Sequence, residues 1–356
     1  MRTFTIVIPG FSNDIRPTLA SILQQYKPAD YEMRIEVIIV NDNVEHRGQY
    51  DSIVESFSSL SPDWIGWKVI ENEKNVGQGL SRQYGIDAAT TDYVQLLDDD
   101  DQLSPGFVYK VSDNIDVHIA QTKRDDVAMV TIPVMSYNPH GADAIIPGNS
   151  IWVQSHIYNR KWLKNSEIRF SPETSRRGED YTFQRKVDWV LAKDTAYCRI
   201  DFPPIVMNQI KKAQEPFSQF IYWRANEKSQ TRSNKNWGTL ISPATHIGSC
   251  QIFDCMKNNK ATEAELQDFI VNSAVSLAVS LVKFDHLSEE DKKSFPDWFE
   301  TEKNTCIKML RERIKKPVSL QIISKSVFQN KYMSDNGYPD DLNLEVENKI
   351  KYIIGD

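Results

Sequence analysis

The run Ile35-Glu36-Val37-Ile38-Ile39-Val40 constrains the fold more than any other stretch of the chain. Its near-continuous aliphatic character is that of a parallel strand covered on both faces. The preceding segment agrees with this. Phe4–Pro9 reads as a strand stopped by Pro9-Gly10, and Ile15–Tyr26 as a helix with Asp14 as its N-cap and Leu19, Ile22, Leu23 and Tyr26 at helical spacing. A third strand lies near Trp67–Ile70, a helix at Leu80–Ala89, and a fourth strand leads into Asp98. This order predicts an α/β chain with a doubly wound, Rossmann-like mixed sheet.

Further on, a helix follows Pro105, Val127–Val134 is a strand, and residues 141–148 form a loop. A helix starts near Asp180 and runs to about Leu191, with a strand at Ala196–Ile200. Beyond residue 237 the pattern turns helical. Thr262 with Glu265 makes a capping box for a helix to Phe284, and Asp297–Ile314 is another helix. Met333–Asp356 reads as polar and loosely held. The 356 residues therefore divide at 236, with an α/β region whose halves are about 1–110 and 111–236, followed by a helical region at 237–356.

A net charge of −7 supplies no global basic field for nucleic acid or anionic membrane. No apolar leader precedes the first strand, and Phe269–Phe284 is too short and polar to span a bilayer. Cys198, Cys250, Cys255 and Cys306 lack paired spacing and read as reduced thiols of a cytoplasmic protein. The oligomeric state stays open.

The chemistry gathers at strand ends. Tyr93–Leu97 runs into Asp98-Asp99-Asp100-Asp101, where an extended backbone would put Asp98 and Asp100 on one face. Two such carboxylates suit a hard cation that shares a diphosphate, although a solvated acidic turn fits the same residues. Asp42 closes the second strand and is placed to accept the ring N–H of uracil, thymine or guanine, or to serve as an Asx turn. Asn75-Val76-Gly77-Gln78-Gly79 opens a helix whose free N–H groups favour an anion, with Arg82 one turn in to reach a sugar or phosphate. Glu179-Asp180 sits at another helix start, suiting an ionised general base or a pairing with Arg176 or Arg177. Residues 211–235 hold six basic side chains against Glu215 and Glu227, a local +4 that suits closure over a leaving diphosphate, contact with nucleic acid, or a solvated loop.

Together these stretches resemble the inverting glycosyltransferases of family 2, with the GT-A fold, over about residues 3–235. The carriers are Pro9-Gly10-Phe11, Asn41-Asp42, Asn75-Val76-Gly77 with Ser81-Arg82, Leu97-Asp98-Asp99-Asp100-Asp101, Phe170 with Glu179-Asp180, and Tyr222-Trp223-Arg224 with Ser229. The family's turn asparagine is replaced by Ser12, and its late histidine by Asn226-Glu227. No Gln-x-x-Arg-Trp motif of processive members is found.

The resemblance implies a single-addition enzyme using a nucleotide sugar, a UDP-sugar with Asp42 on the uracil, and Mn²⁺ or Mg²⁺. Pro9, Phe11, Asn75, Gly77 and Arg82 would line the donor site. Asp98 would touch the ribose and assist Asp100 on the metal; Arg224, Lys228 and Ser229 would cradle the leaving group. Asp180 would be the catalytic base. The acceptor would be a glycan or a lipid-linked precursor, with Trp152, Tyr158 and Trp162 for sugar stacking. A hydroxymethylated base in viral DNA is the alternative, favoured by the local +4 segment and the arginines at 169, 176, 177 and 185. A nucleotidyltransferase would need a glycine-rich basic signature after the first strand, and a silent nucleotide-sugar-binding module would have lost a carboxylate. Pro9-Gly10-Phe11 lacks that signature, and all four key carboxylates are present.

Overall fold

The computed structural model describes residues 1–11, 14–137, 144–146, 152–202, 221–224, 243–293, 295, 298–315 and 342–355. They gather into two compact units, Met1–Ala225 and Asn226–Asp356.

In the first unit, β1 (Arg2–Gly10), β2 (Met33–Asn41), β3 (Ile65–Glu71) and β4 (Tyr93–Leu96) are all parallel. Helices α1 (Arg16–Leu23), α2 (Asp51–Leu60) and α3 (Gln78–Ala88) connect them. The aliphatic run of β2 is buried throughout, as its composition requires. The sequence reading leaves two strands adjacent without a helix between them; α2 fills that gap, because a parallel pair needs a crossover. Its Ile53, Val54 and Phe57 lie on one face and pack against the core. Helix α1 is shorter than expected, and its N-cap is Ile15. Asp14 instead receives the Arg16 backbone N–H at 3.1 Å and pairs with its side chain.

Two sheets follow. The main sheet has seven strands in the order β10-β6-β9-β4-β1-β2-β3, with β6 (Val127–Thr131), β9 (His156–Asn159) and β10 (Cys198–Asp201) completing it. Only β9 runs against its neighbours β4 and β6, so the sheet is mixed. The second sheet has the order β5-β11-β7-β8, from β5 (Gln102–Leu103), β7 (Val134–Tyr137), β8 (Ala144–Ile146) and β11 (Ile221–Arg224). The strand expected at 127–134 is thus two strands in different sheets. Pro133 between them has no N–H to offer a ladder, and the chain changes sheet there. Helices α4 (Phe107–Thr122), α5 (Arg160–Asn165) and α6 (Glu179–Lys193) complete the unit.

Every helix of the second unit among the described residues lies at 243–258, 263–285, 289–293, 298–313 or 342–354. The capping box at Thr262 forms: its hydroxyl accepts the Glu265 N–H at 3.2 Å, and Glu265 accepts the Thr262 N–H at 2.8 Å. The helix it opens is 23 residues long, which exceeds the apolar run read from the sequence. By length and composition it could cross a membrane, yet 61% of that window is buried as in a core helix. The reading of the C-terminal stretch as loosely held is corrected at 342–354, where Val346, Ile350 and Ile353 form a buried stripe.

His246 is the electrostatic weak point of this unit. Its Nδ1 meets the Ser273 hydroxyl at 3.0 Å, and its buried Nε2 has no partner among the described residues. Burial lowers its pKa from 6.5 to about 4. The unfolded chain therefore binds this proton first. The contribution of this histidine to stability is fully present above pH 6.5 and is lost as the pH drops toward 4, by about 3 kcal/mol in total. Urea denaturation at pH 7 and pH 4.5 is expected to show this loss, and His246→Leu to flatten it.

Candidate active site

Strands β1, β2 and β4 end side by side, with Gly10 opposite Asn41 and Val7 opposite Leu96. Their carboxyl ends present Phe11, Asp42 and Asp98 to one edge, the usual location of ligand sites in such sheets. The acidic quartet is not extended, which corrects the alternation expected from sequence. Strand β4 stops at Leu96, and the Asp101 N–H closes a turn on the Asp98 carbonyl at 3.1 Å. Asp99 faces inward, where its carboxylate accepts the Phe11 N–H at 3.2 Å and its carbonyl the Thr18 hydroxyl at 2.9 Å. Asp101 is buried, while Asp100 is partly exposed at the bend. Turning separates four like charges that an extended strand would hold in two stacked pairs.

Asp42 is engaged by the protein. Its carboxylate accepts the N–H groups of Val76 and Gly77, each at 2.8 Å, and the side-chain amide of Asn72 at 2.9 Å. At the start of α3 the Gly79 N–H goes to the Ser175 carbonyl at 2.8 Å and the Leu80 N–H to the Ser175 hydroxyl at 2.7 Å. The expectation that this helix start cradles a ligand anion is corrected, because protein acceptors satisfy these donors. The glycines serve closeness instead. A Cβ on Gly79 would lie 3.0 Å from the Glu179 Cβ, so α3 can dock against the loop that leads into α6. Asn75 belongs to the same joint, its carbonyl accepting from Arg176 at 2.9 Å.

That docking brings Arg82 among three carboxylates. Its Nη1 donates to Asp180 at 2.5 Å and lies 3.4 Å from Glu179, and its Nη2 donates to Asp98 at 2.6 Å. Arg82 is 1% exposed, so it cannot reach a ligand in solvent as the sequence reading had it. Asp180 is 23% exposed and its carboxylate also takes the Val153 N–H. Burial raises the Asp180 pKa against the opposing pull of Arg82; burial and the neighbouring Asp180 raise Glu179 further. Burial thus lifts both carboxyls above the ordinary range, while the Arg82 guanidinium holds negative charge on the pair.

Asp98 also receives the side-chain amides of Gln78, at 2.9 Å, and Gln154. A cation would have to displace these donors beside a guanidinium, so Asp98 does not fit as a metal ligand. Asp100 does fit a cation that arrives with a diphosphate, since Mg²⁺ commonly uses one or two carboxylates plus phosphate oxygens. Among the described residues no three His, Cys, Asp or Glu side chains converge into a metal cage.

Residues 5–163 match the family described as Glycosyl transferase family 2. The matched residues, all within the first unit, form a family 2 glycosyl transferase domain. Relatives include the succinoglycan biosynthesis protein ExoO of Rhizobium meliloti (strain 1021), 27% identical over 132 residues that are 32% of this chain and 38% of that protein. The uncharacterized glycosyltransferase YwdF of Bacillus subtilis (strain 168) is 33% identical over 100 residues, 28% of this chain and 34% of that one. The matches thus span little more than a third of those relatives. Among solved structures, S. aureus TarS 1-349 in complex with UDP-GlcNAc has a TM-score of 0.57 at 16% identity, covering 100% of this chain and 91% of that one. A longer TarS structure gives 0.57 at 18%, covering 98% of this chain and 55% of that one. At these identities the likeness is one of fold, the GT-A fold.

Phe170 supports the junction of α3 and α6. It stacks on Phe183 of α6 with centroids 4.1 Å apart, and its N–H donates to Gln83 of α3 at 3.0 Å. Pro9 is buried in β1, whereas Phe11 is 48% exposed at the rim. Arg224 has its backbone in β11 and its side chain outside the described residues, as are Lys228 and Ser229. Tyr158 and Trp162, read as sugar-stacking rings, are core residues whose polar ends bond to Gln184 at 2.7 Å and Asp194 at 2.9 Å. Two of the arginines that favoured a DNA acceptor are paired locally, Arg169 with Asp87 and Arg185 with Asp188. Gln78, Gln154 and Ser175 carry no spacing signal in the sequence, being single polar residues whose partners are remote along the chain. Gln95 is a partial exception. A glutamine in an apolar strand needs a partner, and it donates to the carbonyls of Leu96, at 2.7 Å, and Gln154, at 2.9 Å.

Proposed function

We propose that this chain is a metal-dependent, inverting, single-addition glycosyltransferase that moves a sugar from a UDP-sugar to a glycan hydroxyl. The observation that carries this reading is the pairing of Asp98 and Asp180 through one guanidinium, beside the acidic turn at the strand ends. A donor lying over the turn would present its anomeric carbon toward Asp180. The TarS fold, seen with UDP-GlcNAc, supports the choice of uridine. ExoO, a succinoglycan biosynthesis protein, supports a polysaccharide acceptor.

Asp180 accepts the proton of the acceptor hydroxyl as its oxygen bonds to the anomeric carbon from the side opposite the diphosphate. The bond to the diphosphate breaks with its electron pair, and configuration inverts. A Mn²⁺ or Mg²⁺ held by Asp100 would neutralise charge on the leaving diphosphate. Arg224, Lys228 and Ser229 would complete that cradle. A carboxylate has about four acceptor positions, of which three on Asp42 are filled by protein donors, leaving one for the uracil N–H. Phe11 offers the base an exposed ring.

The test is a release assay with purified protein, Mn²⁺ or Mg²⁺, and a panel of nucleotide sugars. Slow hydrolysis is expected to release UDP from a UDP-sugar, to stop with EDTA, and to fall at least tenfold in Asp100→Ala. Absence of any nucleotide release across the panel would reject the reading. Release that persists in EDTA would reject its metal dependence alone.

A further inference from the structure

The residue that the proposed chemistry does not use, yet which sits at its centre, is Arg82. Its side chain is almost wholly buried, so it has no route to donor or acceptor. All its described hydrogen bonds run through the two Nη groups: Nη2 to Asp98 at 2.6 Å, and Nη1 to Asp180 at 2.5 Å with Glu179 at 3.4 Å. Its Nε is buried and has no partner among the described residues. The guanidinium is therefore a clamp with two loaded ends. One end is the donor-side carboxylate at the tip of β4, and the other is the proposed base at the start of α6. A planar, rigid fork can hold two carboxylates at a fixed separation, which a single ammonium cannot.

The surroundings favour this clamp over a simple ion pair. Gln78 and Gln154 add neutral donors to Asp98, which limits the pull that Asp98 exerts on the guanidinium. Gln95 holds the Gln154 carbonyl at 2.9 Å and so fixes the turn that carries this donor. The same turn supplies the Val153 N–H to Asp180.

We propose that Arg82 is the positioning residue of this site: without touching substrate, it sets the separation and aim of the Asp180 carboxylate relative to Asp98. The inference rests on the reading of Asp180 as the base. It differs from the family-based expectation that this arginine contacts sugar or phosphate.

Steady-state UDP release by wild type, Arg82→Lys and Gln154→Leu tests it, with circular dichroism melts to confirm folding. Arg82→Lys keeps the charge but not the fork, and kcat should fall about 10- to 100-fold, the usual consequence of roughly 1 Å of misplacement. KM for the donor should change less than threefold. Arg82→Ala should regain part of its kcat in millimolar guanidinium chloride and none in sodium chloride. Gln154→Leu leaves the guanidinium intact, so it remains informative if the Arg82 variants fail to fold; it should lower kcat several-fold by letting Asp98 draw the clamp. An unchanged kcat in Arg82→Lys, or in Gln154→Leu where the former is unfolded, overturns the inference, as does a raised donor KM with kcat intact. Wild type that turns over no donor overturns the underlying reading as well, and is distinguishable because it precedes any comparison of variants.

Discussion

Asp180→Asn is expected to lower kcat by about 10²–10⁴ while donor affinity stays within about threefold of wild type. The amide keeps the shape of the side chain but cannot accept the acceptor's proton. Donor binding should survive because Asp100 and Phe11, proposed to hold the donor, lie on other elements. The ionisation of Asp180 adds a second signature. Its pKa is raised to about 6, by burial and by Asp98 against the pull of Arg82. A base must be deprotonated to act, so wild-type kcat should rise with pH through about 6 and level off above it. For an ordinary aspartate that limb would lie near 4. A pH series of kcat together with calorimetric titration of UDP into both proteins checks both parts. Wild-type turnover in Asp180→Asn would remove it as the base, and a tenfold loss of UDP affinity would make it a binding residue instead.

How far these features could be read from the chain depended on whether they were local. The β2 run needed both faces covered, and that requirement alone implied the parallel sheet. The capping box at Thr262 was equally readable, because both halves of its reciprocal bonding lie within four residues. The turn within the acidic quartet is not legible, since side-chain alternation says nothing about where a strand stops. Helix 342–354 did carry its signal in Val346, Ile350 and Ile353, but the polar residues ahead of it masked the period. What no local pattern encodes is partnership at a distance. The sequence places Asp42 for a base N–H or an Asx turn, and gives no sign that Asn72 and the 76–77 backbone fill most of its acceptor positions. The sequence likewise points Arg82 toward a ligand, and its partners lie 16, 97 and 98 positions away. Desolvation decides both cases, since a buried charge must find hydrogen-bond donors or counter-charges inside the protein.

Gly77→Ala is expected to destabilise the first unit by about 2–5 kcal/mol, more than most single substitutions. Two independent terms act at this residue. Its φ of +86° lies where an L side chain is strained whatever room it has. A Cβ would also come within 2.6 Å of the Arg176 Cγ and 2.9 Å of the Ser175 carbonyl oxygen. The arginine can give way at the cost of its bond to the Asn75 carbonyl, but Ser175 cannot, because its backbone and hydroxyl receive the first N–H groups of α3. Relief therefore requires α3 to move off the loop, carrying Arg82 away from Glu179 and Asp180. Stability and turnover should fall together, unlike Asp180→Asn, which should leave the urea midpoint near its wild-type value. Gly66 in β3 is the matched control: a methyl added there would meet nothing within 4 Å, so Gly66→Ala should shift stability by no more than about 0.5 kcal/mol. Equal urea midpoints for Gly77→Ala and Gly66→Ala would mean that the junction between α3 and the α6 loop is looser than its contacts indicate, and that Arg82 is not held where the proposed catalysis needs it.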